Sequence, residues 1–167
     1  MDAPKTQDST PRTKGCEILI ADDNPRARHW LGTILATSGH KITEAASGTE
    51  ALDRILARHF HILITDLQMY PIDGYMLIDA LKILPKSRQA PAVIVCSALV
   101  GDVHVDGRPE LRSVVRLLTK PTRPAALIEA VEAASQAGTQ TRFGRPPSVT
   151  FASRCRHGVQ TPPSRAR

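Results

Sequence analysis

Aspartate residues that follow two apolar segments are the residues in this sequence best suited to chemistry. Asp66 follows the run His61–Thr65, and Asp22 and Asp23 follow the run Glu17–Ala21. Such runs are typical of parallel strands buried on both faces, whose carboxyl ends open onto the ligand crevice of an α/β sheet. Three carboxylates at one such edge would repel one another unless a hard cation lay among them. The pattern therefore predicts a divalent-metal site.

Two further polar groups follow later strand-like segments. Ser97 comes after the segment 92–96, and Lys120 closes a segment at about 115–119. Because the carboxyl ends of parallel strands share one edge of a sheet, we expect both side chains to lie near the aspartates. Ser97 taken alone could equally be an ordinary strand-end hydroxyl, and Lys120 a solvated lysine before a turn.

Together, the five groups suit phosphoryl transfer to a carboxylate. Asp22 and Asp23 can hold a largely hydrated Mg²⁺, while Asp66 acts as the nucleophile. Ser97 and Lys120 can then hydrogen-bond and neutralise the transferred group. Taken singly, the aspartates also have simpler interpretations, as turn or capping residues for the pair and as a loop residue for Asp66.

The elements that must position these groups alternate between strand and helix. The predicted strands are 17–21, 41–45, 61–65, 92–96 and about 115–119, and the predicted helices are 24–39, one from 47 onwards, about 74–84 and about 123–137. Asn24 precedes Pro25 as a helix cap, and Ser47 with Glu50 forms a capping-box pattern. Strict alternation predicts an α/β fold with a doubly wound parallel sheet.

The segment between Leu99 and Arg116 fits this alternation poorly. Gly101, Gly107 and Pro109 interrupt any long helix there. Only 109–114 has a helical pattern, so we expect the fourth helix to be short or irregular.

Composition indicates one folded domain with two polar extensions. We predict a disordered leader over 1–15, a folded domain over 16–137 and a basic disordered tail over 138–167. The tail has no acidic residue, and its six arginines equal the net charge of +6: Arg142, Arg145, Arg154, Arg156, Arg165 and Arg167. It could hold nucleic acid or an acidic partner by salt-dependent attraction. Otherwise it would be a solvated, disordered extension or residues from an extended reading frame. No pattern of a DNA reader occurs, so we expect no sequence-specific DNA binding.

We expect a cytoplasmic protein with no membrane association. No apolar run approaches the roughly 20 residues of a membrane span, and the N-terminus has no apolar signal core. Cys16, Cys96 and Cys155 are unevenly spaced and lack metal-ligand spacing, which favours a reducing compartment.

Several motifs in order make the chain resemble a response-regulator receiver domain of the CheY-like kind over roughly residues 16–137. The matching pieces are ILIADDN at 18–24, ASGTEAL at 46–52, ITDLQM at 64–69, Asp73-Gly74, Ser97-Ala98 and Lys120-Pro121. The resemblance implies a flavodoxin-like, CheY-like fold in two-component signalling, a five-stranded parallel sheet with strand order 2-1-3-4-5. It also implies Asp66 as phosphoacceptor.

The resemblance further implies which residues bind Mg²⁺ and the phosphoryl group, and which residues influence dephosphorylation. Asp22, Asp23, Asp66 and the main-chain carbonyl of Gln68 would be the Mg²⁺ ligands. Ser97 would be the hydroxyl that follows the phosphoryl group and Lys120 its cationic partner, while Gln68 and Leu99 would tune dephosphorylation. The phosphoryl group would come from a histidine kinase, a histidine phosphotransfer protein or a small phosphodonor. The downstream protein target is not indicated.

Two residues depart from the family pattern at informative places. Tyr70 stands between Met69 and Pro71, where the family usually has the proline directly after the methionine; the loop length to Asp73 is kept. We expect a reshaped loop with the site retained. Leu117 occupies a position, three before Lys120, that is commonly an aromatic switch. The output route is therefore expected to be altered.

The leading hypothesis is a single-domain response regulator that signals through protein contacts. It would be no enzyme beyond self-phosphorylation and slow autodephosphorylation. The alternatives are a receiver-fold binding module that does not cycle phosphate, and the receiver fragment of a hybrid sensor kinase. A metabolic enzyme is disfavoured, because no glycine-rich nucleotide motif occurs and Gln68 stands where an aspartate phosphatase would carry a second acid.

Overall fold

The computed structural model describes residues 15–85, 89–98, 111 and 113–138. The strands in these ranges are β1 (Glu17–Ala21), β2 (Lys41–Ala45), β3 (Ile62–Thr65), β4 (Ala92–Ser97) and β5 (Val114–Thr119). The helices are α1 (Pro25–Thr37), α2 (Gly48–Ala57), α3 (Gly74–Lys82) and α4 (Pro124–Gly138).

The strands form one parallel sheet in the order β2-β1-β3-β4-β5. The predicted doubly wound α/β fold and its strand order are thereby confirmed. Ala21 is level with Thr65 in the register of β1 and β3, so Asp22 and Asp66 leave the sheet side by side. The strand order reverses beside β1, which is where open α/β sheets place their ligand crevice.

Helices cover both faces of the sheet, and each face has its own apolar core. On one face, α1 and α4 pack Leu31, Leu35, Leu127 and Val131 against alternate strand residues such as Ile20. On the other face, α2 and α3 contribute these buried side chains: Ala51, Ile55, Leu77, Ile78 and Leu81. The central strands are buried on both faces, and for this reason their sequences are continuous apolar runs.

Side-chain caps begin α1 and α2 close to the ends of β1 and β2. The Asn24 side chain accepts hydrogen bonds from the backbone N–H groups of Arg26 and Ala27. The Ser47 hydroxyl accepts from the Glu50 N–H, and the Glu50 carboxylate accepts from the Ala46 N–H at 2.7 Å. These contacts fix where each loop at the carboxyl edge turns into a helix.

Several predicted elements differ from the structure at their ends, and β4 includes Ser97 as its last residue. β3 begins at Ile62, one residue after His61, whose imidazole Nδ1 accepts the Glu17 N–H at 3.0 Å. The predicted helical segment 109–114 is wrong at its last residue, because Val114 pairs with Val93 and belongs to β5. The rest of that segment, apart from residues 111 and 113, lies outside the described residues, as do Leu99, residues 1–14 of the leader and residues 139–167 of the tail. The domain boundaries stay predictions.

Candidate functional site

Three carboxylates meet at the carboxyl ends of β1 and β3. One oxygen from each of Asp22, Asp23 and Asp66 lies within 4.8 Å of the other two. Asp22 and Asp66 are 1% and 8% exposed, whereas Asp23 is exposed at the rim. Burying two like charges together is unfavourable unless cations compensate them. The structure therefore brings together the three aspartates that the sequence predicted would share one edge.

Lys120 compensates part of this charge from the end of β5. Its Nζ donates a hydrogen bond to Asp22 Oδ2 at 2.7 Å and a second, shorter one to Asp66 Oδ2. The Lys120 backbone N–H donates to the Ser97 carbonyl at 3.1 Å, which fixes the start of this side chain against the end of β4. The ammonium group is therefore held between two buried carboxylates.

The pKa values of Asp66 and Lys120 are shifted apart by this contact. Burial by itself raises the pKa of Asp66, but hydrogen bonds from Lys120, from the Ser97 side chain and from the Gln68 backbone outweigh it, so this pKa is lowered. Burial by itself lowers the pKa of Lys120, and its hydrogen bonds to Asp22 and Asp66 reverse that effect and raise it. Asp66 is thus held as an ionised carboxylate, which is the form that acts as a nucleophile.

The backbone around Asp66 is tightly held. The Asp66 N–H donates to the Ala21 carbonyl at 2.9 Å, and the Gln68 N–H donates to Asp66 Oδ1 at 3.1 Å. A β-carbon at Gly74, the first residue of α3, would lie 2.1 Å from the Asp66 carbonyl oxygen and 2.8 Å from the Leu67 α-carbon. Only glycine fits there, so α3 begins directly against the backbone that carries Asp66.

Arg28 and Glu44 are residues near the site that the sequence did not indicate. Arg28 Nη1 donates to the main-chain oxygen of Asp22 at 2.6 Å, and its Nε donates to Glu44 Oε2 at 3.1 Å. The sequence nevertheless contains a signal for the contact of Arg28 with the end of β1, because helical side chains lean towards the helix N-terminus. An arginine in the first turn after a strand and an acidic pair can therefore reach back to the end of that strand.

The donor set fits a hard divalent cation. Carboxylate and carbonyl oxygens are the ligands that Mg²⁺ prefers. Asp22, Asp23 and Asp66 present three carboxylates on one side, against a single ammonium from Lys120 in direct contact among the described residues. Gln68 lies in the same loop with its side chain exposed, so its backbone rather than its side chain faces the cluster through the N–H bond to Asp66.

The other predicted site residues lie at different depths. Ser97 is fully buried, with its side chain hydrogen-bonded to Asp66. Leu117 is half-buried, pairs with Val95 across β4 and β5, and packs on the core face covered by α2 and α3. Tyr70 is 85% exposed in the loop after β3. The structure brings Ser97 to the carboxylates and leaves Tyr70 on the surface.

Among the residues that the structure describes, no helix is both long enough and apolar enough to cross a bilayer.

Comparison with known protein families and curated sequences points to one family. The family model described as "Response regulator receiver domain" matches residues 18–132. A gliding motility regulatory protein of Myxococcus xanthus is 34% identical over 97 residues, which cover 58% of this chain and 12% of that protein. An uncharacterised 14.6 kDa protein of Leptolyngbya boryana is 32% identical over 117 residues, 70% of this chain and 87% of that protein. The sensor protein EvgS of Escherichia coli K12 is 40% identical over 65 residues, 39% of this chain and 5% of EvgS.

Solved structures show the same fold. The receiver domain of Francisella response regulator 1452 superposes with a TM-score of 0.62 at 26% identity, covering 74% of this chain and 99% of that one. The chemotaxis response regulator CheY4 of Vibrio cholerae has a TM-score of 0.63 at 20% identity, covering 73% and 99%.

Proposed function

This chain belongs to the response regulator receiver domain family of two-component signalling, and from that membership we propose that Asp66 accepts a phosphoryl group from a phosphohistidine. The donor would be a histidine kinase or a histidine phosphotransfer protein, and a small phosphodonor would substitute for it in vitro. The phosphorylated domain would then act through contacts with a downstream protein.

One observation supports this proposal above the others. The Asp66 carboxylate, almost fully buried, shares the Lys120 ammonium with Asp22 and lies beside Asp23 at the open edge of the sheet. A lone buried carboxylate would be neutralised by protonation, whereas this one is held ionised. An ionised, partly shielded carboxylate at a ligand crevice is what a phosphoryl acceptor needs.

Three residues of the chain would have separate roles in the phosphoryl transfer. An oxygen of Asp66 forms a bond to phosphorus while the bond from phosphorus to the donor imidazole nitrogen breaks, and the imidazole leaves. Lys120 then exchanges part of its contact with the carboxylates for the new phosphoryl oxygens, and the Ser97 hydroxyl donates to another of them. The buried strand ends keep these groups in place, so little reorganisation is needed.

We propose Mg²⁺ as the cofactor, held by Asp22, Asp23, Asp66 and the main-chain carbonyl of Gln68. Bound there, Mg²⁺ would neutralise the phosphoryl oxygens as they approach Asp66. The closeness of the three carboxylates supports the aspartates as ligands.

Catalytic activity would be confined to the protein's own aspartyl phosphate. The domain would phosphorylate itself from small donors and slowly hydrolyse the product, with Gln68 and Leu99 influencing the attacking water. We expect this to take place in the cytoplasm, with no sequence-specific DNA binding and no membrane contact.

The test is incubation with a small acyl phosphate and Mg²⁺, followed by mass spectrometry of the intact chain. We expect the mass of one phosphoryl group to be added and then lost in alkali, as an acyl phosphate is. Asp66→Asn should not gain it. Asp73→Asn is the matched control, since Asp73 lies in the same loop but only caps α3, a role that asparagine also fills. An adduct that persists in Asp66→Asn would contradict the proposal.

A second candidate is a receiver-fold module that binds partners without cycling phosphate. The half-buried Leu117, at a position that is aromatic in much of the family, favours this candidate. Trp30 fluorescence separates the two, because Trp30 lies on α1, the helix that follows the acidic pair in the chain, and is partly exposed. A Mg²⁺-dependent change in its emission supports the phosphoacceptor; no response at millimolar Mg²⁺ supports the inert module.

A further inference from the structure

Arg28 contacts the acidic pair Asp22 and Asp23 through the backbone and not through the carboxylates. Its side chain is 15% exposed, and Nη1 donates to the main-chain oxygen of Asp22 at 2.6 Å. Arg28 lies in the first turn of α1, where its own N–H donates to the Asn24 carbonyl at 3.0 Å. The guanidinium therefore holds the peptide that joins Asp22 to Asp23 and touches neither carboxylate by any hydrogen bond among the described residues.

Glu44 fixes the orientation of this guanidinium. Its Oε2 accepts from Arg28 Nε at 3.1 Å, from the strand that pairs directly with β1. The other carboxylate oxygen lies over Gly32 of α1, where a β-carbon would be 3.2 Å away. A planar guanidinium held at two of its nitrogens has little freedom to rotate. Glu44 therefore holds Arg28, and Arg28 in turn holds the Asp22 carbonyl.

Asp23 depends on this backbone more than its neighbours do. The Asp22 carboxylate is held by Lys120 and by the Asn24 N–H, and that of Asp66 by Lys120 and the Gln68 N–H. No hydrogen bond or ion pair reaches the Asp23 side chain from any residue within the described ranges. Its position is consequently set by the peptide plane that precedes it, the plane whose oxygen Arg28 holds.

We propose that Arg28, oriented by Glu44, is a positioning residue for the metal site, and that it places the Asp23 carboxylate by holding the Asp22–Asp23 peptide. The inference rests on the proposed function only in taking these carboxylates as Mg²⁺ ligands. Groups that orient metal ligands from outside typically change metal affinity by about 10- to 100-fold when they are removed.

The sign of the effect distinguishes positioning from simple electrostatics. A positive charge near three carboxylates opposes the binding of a cation, so by Coulomb's law alone its removal strengthens Mg²⁺ binding. If Arg28 positions Asp23, its removal weakens Mg²⁺ binding instead. The two possibilities therefore predict opposite shifts of the Mg²⁺ dissociation constant.

The experiment is calorimetric titration of the full chain with MgCl₂ at fixed ionic strength. Arg28→Met should weaken binding about tenfold or more. Arg28→Lys keeps the charge but cannot contact Glu44 and the Asp22 carbonyl in the same way. Its Mg²⁺ affinity should lie between those of Arg28→Met and wild type. Glu44→Gln should shift the constant in the same direction by less.

Arg26→Met is the matched control. Arg26 lies on the same helix two residues away, is exposed, and makes no side-chain hydrogen bond among the described residues, so the variant loses the same charge without a positioning contact. We expect its Mg²⁺ affinity to equal that of wild type or exceed it slightly. Thermal unfolding without Mg²⁺ shows whether each variant is folded, and the charge-conserving Arg28→Lys keeps the question answerable if Arg28→Met is not.

Equal or tighter Mg²⁺ binding by folded Arg28→Met would overturn the inference. So would a loss in Arg26→Met as large as that in Arg28→Met, because charge rather than position would then be responsible. Failure of the proposed function has a different signature, in which wild type itself binds no Mg²⁺ and is not phosphorylated.

Discussion

The Nζ atom of Lys120 lies 2.7 Å from Oδ2 of Asp22, although 98 residues of sequence separate them. The same ammonium also contacts Asp66, so one cation serves two buried carboxylates from different strands. A cation in this position balances the like charges before any metal arrives, and it is already where a phosphoryl group on Asp66 would need it. The stability of the domain and the chemistry proposed for it would therefore depend on the same side chain.

Replacing Lys120 should destabilise the domain unless Mg²⁺ is present. In Lys120→Met the two buried carboxylates lose their shared partner, and removing one partner of a buried ion pair typically costs about 3–5 kcal/mol. We expect a somewhat smaller loss, because the lysine side chain is 22% exposed. Urea unfolding with and without Mg²⁺ measures it, and Mg²⁺ should stabilise the variant more than the wild type.

Lys82→Met is the comparison for that loss. Lys82 pairs with Asp79 on the exposed surface of α3, where ion pairs contribute about 0–1 kcal/mol. Equal unfolding free energies for Lys120→Met and wild type without Mg²⁺ would contradict the structural role given to Lys120.

His40 should make stability fall in mild acid. Its Nδ1 accepts the Cys16 N–H at 3.2 Å, which requires the neutral imidazole, and burial lowers its pKa, with Glu132 opposing in part. Below the ordinary histidine pKa of about 6.5, the unfolded chain therefore binds a proton that the folded chain does not. The free energy of unfolding should be steady above about pH 7 and decrease as pH falls from there towards the lowered pKa of His40.

A urea series across that pH range, with wild type and His40→Gln, measures this contribution. The pH slope of His40→Gln should be shallower, because the titrating group is gone. Burial and the neighbouring His61 lower the pKa of His59 as well, so a parallel His59→Gln series separates the second histidine. Identical slopes for His40→Gln and wild type would exclude His40 as the source.

Gly74→Ala should destabilise the protein and impair phosphorylation at the same time. Alanine normally favours a helix over glycine by about 1 kcal/mol, so propensity alone predicts a gain in stability. Here the new methyl group would lie 2.1 Å from the Asp66 carbonyl oxygen, and the loop that carries Asp66 must move. We expect a lower midpoint of thermal unfolding together with slower phosphorylation by an acyl phosphate.

Met76→Ala, on the exposed side of α3, tests whether any change in that helix has this effect. We expect its midpoint and phosphorylation rate to stay close to those of wild type. A stability gain in Gly74→Ala would mean that the close approach is relieved at no cost.

Leu117→Ala should separate stability from chemistry. Leu117 packs on the α2–α3 face of the sheet beside Val95 and contacts none of the acidic groups by a hydrogen bond. Shortening a leucine in a core costs about 2–5 kcal/mol, and a half-buried one should cost less. Urea unfolding should show this loss while the phosphorylation rate at saturating Mg²⁺ is unchanged. A rate that falls with stability would mean that Leu117 takes part in holding the site.

Much of the fold could be predicted from the sequence because local residue patterns determine where most strands and helices form. Continuous apolar runs predict the central strands, and Asn24, Ser47 and Gly39 mark helix ends through backbone geometry that only a few residue types satisfy. The fold class followed from these patterns, and the order of the motifs gave the resemblance to the family, which in turn implied the strand order. The start of β5 at Val114 could not be read in this way, because pairing with Val93, a contact distant in sequence, determines it.

The sequence by itself determined which residues end the strands, and hence which acids, hydroxyl and lysine are available at one edge. Tertiary structure alone decided that the Lys120 ammonium lies between Asp22 and Asp66, that Gly74 is pressed against the Asp66 backbone and that Arg28 holds the Asp22 carbonyl. Local sequence cannot specify such contacts, because they depend on the register of parallel strands and on side-chain packing between segments far apart in the chain.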